Sequence, residues 1–87
     1  MLIDKIQKLP LGFSVVEYNN KKYGVTRTDY NSGKSSKVYA EELGGVDFIS
    51  LNIYITNKKE NLKPCEMPEQ RVIHFLNNFK SIKSHKP

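Results

Sequence analysis

The sequence predicts an α+β fold: a short N-terminal helix, a four-stranded antiparallel β-meander and a C-terminal helix packed on one sheet face. Three observations predict it. Phe48 to Thr56 alternates strictly, with Ile49, Leu51, Ile53 and Ile55 on one side and Phe48, Ser50, Asn52, Tyr54 and Thr56 on the other, the period of a half-buried strand. Three segments before it are rich in aromatic and β-branched residues and are separated by short breaks of Asn, Ser and Gly, so each strand joins the next by a tight connection. After Pro68 the period lengthens, and Val72, Phe75, Leu76, Phe79 and Ile82 recur at helical spacing.

The opening helix follows from Leu2, Ile3, Ile6 and Leu9, with Asp4, Lys5, Gln7 and Lys8 in the gaps; Pro10 and Gly12 end it. Two to three turns are marginal alone in water, so this helix must dock on the sheet. Phe13–Tyr18 and Tyr23–Tyr30 are the first two strands, with Asn19, Asn20, Lys21 and Lys22 as their turn. Asn31 to Lys34 is the next turn, and a third strand runs from Lys37 to Glu41. Gly44 and Gly45 allow the reversal into the fourth strand. Asn57 to Asn61 reads as a polar turn, and Leu62 to Pro68, with prolines at 64 and 68, as an extended crossover to another layer. Pro68 and Glu69 suit a helix start, and the helical stripe is expected to cover the oily side of the sheet. Residues 80–87 read as a lysine-rich frayed tail.

A chain of 87 residues has room for one modest core, so a single domain over 1–87 is expected. Hydrophobic content of 38% and charged content of 26% belong to a globular chain rather than a disordered one. No apolar run reaches the roughly 20 residues of a membrane span. The opening MLIDKIQKLP lacks the layout of a secretory signal, and the lone Cys65 has no disulfide partner, so cytoplasmic residence is expected. The net charge of +5 favours nucleic acid, acidic lipid or an acidic protein as partner, against the plainer role of lysines as solubilising residues.

The runs GKSSKVYAEELGGVDFISLNIY, LKPCEMP and RVIHFL resemble a group of small bacterial proteins of about this length, often labelled peptide methionine sulfoxide reductase. The resemblance covers most of the chain. It implies a shared fold and, through the label, a nucleophilic thiol, for which Cys65 is the matching residue type. The Gly-Cys-Phe-Trp setting of the A-type enzymes and the paired zinc-binding Cys-x-x-Cys motifs of the B type are both absent from the sequence.

Two sets of residues are candidates for function. If helices cover one side of the sheet, Tyr39, Phe48 and Tyr54 face the other, with Lys37 and Arg27 nearby, and flat rings among cations stack unpaired bases. The same rings could instead form cross-strand pairs, and an open sheet face could equally bind a protein or a second copy of the chain. The other candidate is Cys65, as a thiol attacking a sulfoxide or, structurally, as a small buried apolar residue. No metal or cofactor site is expected: His74 falls on the outer side of its helix, His85 stands alone, and Glu41, Glu42 and Asp47 read as a solvated turn.

Overall fold

A computed structural model describes residues 1–82. The elements run α1 (Leu2–Ile6), β1 (Gly12–Tyr18), β2 (Lys21–Tyr30), a 3-10 turn at Asn31–Gly33, β3 (Ser35–Glu42), β4 (Phe48–Thr56), β5 (Lys59–Pro64), α2 (Glu69–Asn78) and β6 (Lys80–Ser81). All strands are antiparallel neighbours in one sheet of order β5-β4-β3-β2-β1-β6. The fold is α+β, but the sheet has six strands rather than the four that the sequence predicts.

Both additional strands lie where the sequence suggests a turn, a crossover or a tail: β5 takes up part of Asn57–Asn61 and of Leu62–Pro68, and β6 the start of 80–87. Only Asn57 and Lys58 form the reversal after β4, each with positive φ (47° and 62°), which is the geometry of a two-residue hairpin. Lys59 can therefore pair with Thr56, and the strand continues to Pro64 opposite Leu51. Pro64 is tolerated because β5 is a sheet edge, where a missing N–H breaks no interior ladder. Asn19 and Asn20 (φ 53° and 63°) make the same kind of turn between β1 and β2, so Lys21 and Lys22 belong to the strand. At the other end α2 stops at Asn78, and Lys80–Ser81 pairs with Val16 and Glu17 as β6. Ile82 consequently leaves the helical stripe and is exposed.

One sheet face carries the core. Val16, Tyr18, Tyr23, Val25, Val38, Ala40, Ile49, Leu51 and Ile53 are buried there, beneath Ile6 and Leu9 from the N-terminal segment and Val72, Phe75 and Leu76 from α2. Each fully buried side chain of this kind contributes roughly 1.5–3 kcal/mol. Ile55, at the end of the row, is only half-buried.

The short helix α1 is held by long-range polar contacts. The Glu60 carboxylate accepts hydrogen bonds from the Leu2 and Ile3 amides at 3.0 and 2.9 Å, satisfying donors a helix start leaves open. At its other end the Arg27 guanidinium donates to the Leu9 carbonyl at 2.6 Å while pairing with Asp29 at 2.8 Å.

A polar cluster ties the β3–β4 turn to α2. Asp47 accepts from the Tyr23 hydroxyl at 2.6 Å and from Arg71 at 2.8 Å, so this carboxylate is a structural anchor and not a solvated turn residue. The Arg71 hydrogen bonds hold the Asp47 carboxyl below the usual carboxylate range, whereas burial raises the Tyr23 phenol. No helix among the described residues is long and apolar enough to cross a membrane.

Candidate functional site

The register of the sheet sets what the other face presents. Because side chains alternate, each antiparallel pairing carries a row of residues across the strands about 4.8 Å apart, with rows about 7 Å from one another. One row runs Phe13, Thr26, Tyr39, Ser50, and the Cys65 amide extends it by donating to the Ser50 carbonyl at 3.0 Å. Beside it on one side run Val15, Gly24, Glu41 and Phe48; on the other run Thr28, Lys37, Asn52 and Lys63. A further row holds Tyr30, Ser35, Tyr54 and Asn61.

Tyr39, Phe48, Tyr54 and Lys37 thus share one face, and both helices lie on the opposite one. Tyr39 and Tyr54 each keep 39% of their surface accessible. The Tyr39 and Phe48 rings are side by side, with centroids 6.2 Å apart and planes inclined at 31°. They are cross-strand neighbours, as the alternative reading of the sequence has it, and Tyr39 is exposed nonetheless.

Arg27 is placed differently. It sits opposite Val38, on the core side, with only 12% of its side chain accessible and its guanidinium committed to Leu9 and Asp29. Alternation explains this: Arg27 and Tyr39 differ in parity across the β2–β3 register, so they point to opposite faces.

In its stead the register brings lysines from the edge strand. Lys59 and Lys63 alternate with Glu60 and Leu62 along β5, which puts both lysines on the open face, Lys63 in the same row as Lys37. Among the described residues of the strands, they share this face with the carboxylates Glu17, on β1, and Glu41, on β3 opposite Phe48. Lys37, Lys59 and Lys63 make no ion pair among the described residues. On the open face of β3–β5 the strands thus present three lysines against one carboxylate, Glu41, and the paired carboxylates Asp29, Glu42 and Asp47 have their partners elsewhere.

Cys65 lies on this same face. Its thiol is half-buried, and the Asn52 side-chain amide donates toward Sγ at 3.5 Å. The two candidate groups read separately from the sequence therefore meet within a few residues of each other.

Phe13 was absent from the sequence-based candidates and is the most exposed ring on the face, at 67%. Strict alternation along Phe13, Val15 and Glu17 could have found it, had the parity of the core been known for β1. Reading Asn57 to Asn61 as a turn hides Lys59, and reading Leu62 to Pro68 as a crossover hides Lys63; both lie on β5.

Elsewhere, His74 is exposed and hydrogen-bonded through Nδ1 to the Tyr18 hydroxyl at 2.5 Å, and His85 lies outside the described residues. No three His, Cys, Asp or Glu side chains gather as a metal site among the described residues. A cavity of about 120 Å³ at the β1–β2 turn is lined by Glu17, Asn19, Asn20, Asn78 and Lys80, none of them a ring or lysine of the β3–β5 half. Comparison with known family models, curated proteins and solved structures finds no match to this chain.

Proposed function

We propose that the chain is a non-enzymatic binding module for single-stranded nucleic acid, using the sheet face that its helices leave open. Unpaired bases stack on Tyr39, Phe48 and Tyr54, and Lys37, Lys59 and Lys63 neutralise the phosphates that run beside them. One observation carries the reading: three rings and three lysines without carboxylate partners share a face with no helix over it. Rings alone would suit many partners, and lysines alone would suit any anion. Interleaved at strand spacing, they suit a polymer that alternates flat bases with negative charge.

Stacking and backbone charge are tolerant of base identity, so binding is weakly sequence-dependent and falls near the micromolar range at about 50 mM salt, as an order of magnitude. Fluorescence anisotropy with a labelled single-stranded oligonucleotide and the matching duplex tests this. The single strand binds more tightly, and Tyr39→Ala or Tyr54→Ala weakens it about 5- to 100-fold. Equal affinity for duplex, or no binding at that salt, overturns the proposal.

The resemblance to proteins labelled methionine sulfoxide reductase supports a second reading, favoured by the position of Cys65 on the open face. There the thiolate attacks the sulfoxide sulfur and the oxygen passes to Cys65 as a sulfenic acid. An external thiol reductant then returns it to the thiol, since Cys65 is the only cysteine in the chain. Conversion of methionine sulfoxide to methionine within a peptide, with a dithiol reductant and abolished by Cys65→Ser, is the result this reading requires.

A further inference from the structure

We infer that Phe13, seated against Gly24, is a further stacking platform for unpaired bases, extending the binding track from β3–β5 toward β1. The inference rests on the nucleic-acid reading given above. It is drawn from a separate part of the face.

Gly24 stands directly between Val15 and Glu41 in the sheet, on the open face, and it has no side chain to occupy that position. The Phe13 ring fills the space. A Cβ built on Gly24 would meet Phe13 Cε1 at 2.9 Å and Cζ at 3.0 Å, so that edge of the ring occupies the space a side chain at 24 would need. Leu43 borders the same spot, 3.3 Å from that point. Yet 67% of Phe13 remains accessible, so most of the side chain is open to a ligand. A ring over a strand glycine also stabilises the sheet, and here most of that ring stays open to a ligand.

The charge around it is balanced, with Lys22 and Lys80 in register with Glu17 and with Glu41 opposite Gly24, so this part of the face offers stacking rather than phosphate contact. Lys22 lies two residues from Gly24 on the same strand and face, and Thr26 flanks the ring with a hydroxyl. Phe13 and Tyr39 share one row, on β1 and β3, two strands apart, a backbone separation of about 10 Å. A single strand crossing the sheet along that row passes from Tyr39 to Phe13 without leaving the face.

The chain contains no tryptophan, so Phe13→Trp places a lone reporter at the platform. The full-length variant is titrated with unlabelled oligothymidylate of about 12 nucleotides, within the span of sheet-based single-strand sites, while anisotropy of a labelled copy follows total binding. Quenching of the tryptophan emission in step with anisotropy is expected. Phe13→Leu, which still covers Gly24, should weaken binding about 5- to 100-fold with little change in Tm, and Gly24→Ala, which tilts the ring, should weaken it by less.

If the oligonucleotide binds and Tyr39→Leu weakens it, but the tryptophan stays unquenched and Phe13→Leu binds as wild type, the Phe13 inference fails while the face reading stands. If no oligonucleotide binds, both fail. Emission that shifts with protein concentration alone identifies the ring as a contact between two copies and overturns the inference.

Discussion

The charge on the open face sets a salt dependence that can be worked out in advance. Lys37, Lys59 and Lys63 have no carboxylate partner among the described residues, whereas Lys22 and Lys80 flank Glu17 and are partly compensated. For a single strand, each neutralised phosphate contributes about −0.7 to the slope of log K against log salt, so three contacts give roughly −2. Raising salt fourfold, from about 50 to 200 mM, then weakens binding about 20-fold. Replacing the three lysines by glutamine should flatten the slope nearly to zero and leave the residual affinity of stacking. Anisotropy titrations at four or five salt concentrations, with wild type and the triple variant, read this directly. A steep slope that survives the triple substitution would place the phosphate contacts elsewhere and refute the assignment of this face.

Three further outcomes follow from the geometry. Phe75 is fully buried and lies 4.9 Å from Tyr18 and 5.5 Å from Phe79, centroid to centroid. Phe75→Ala should therefore cost about 3–5 kcal/mol, most of the stability of so small a domain, and chemical denaturation should show it near unfolding. Asp47 has its carboxyl pKa lowered chiefly by Arg71, so its stabilising contribution is present above the ordinary carboxylate pKa, about 3.9, and is lost as pH falls through the lower folded-state value. Thermal melts of Asp47→Asn should accordingly show a shallower loss of stability on acidification than wild type; identical acid slopes would contradict the anchor role. Alkylation of Cys65 should proceed in the folded protein, because the thiol is only half-buried, and the adduct beside Asn52 should weaken oligonucleotide binding; unchanged affinity would remove Cys65 from the neighbourhood of the track.

Much of this was legible in the sequence. The alternation of Ile49, Leu51 and Ile53 against Phe48, Ser50, Asn52 and Tyr54 marks both faces of β4, and the spacing of Val72, Phe75 and Leu76 identifies what roofs it. Tyr39, Phe48, Tyr54 and Lys37 were placed together on those grounds, and the structure puts them on one face. What stayed hidden depends on register rather than composition. Arg27 is one residue out of phase with Tyr39 across a pairing that no local pattern fixes, and a one-residue slip exchanges faces. The fifth strand was obscured because a run of Asn, Lys and Glu carries turn propensity throughout, yet only Asn57 and Lys58 adopt the turn. Neither the Glu60 cap on α1 nor the seating of Phe13 on Gly24 could be read from spacing, since each joins residues distant along the chain. The reach of α2 was overestimated because Ile82 continues the helical spacing by chance after Phe79 has already left the helix.

The most direct measurement is an amide chemical-shift titration of the isotope-labelled chain with a short single-stranded oligonucleotide at low salt. The account predicts shifts concentrated at Tyr39, Phe48, Tyr54, Lys37 and Lys63, continuing to Phe13 and Gly24, with the amides of α2 nearly still. Shifts confined to α1 and α2, or a spectrum that does not change, would contradict it.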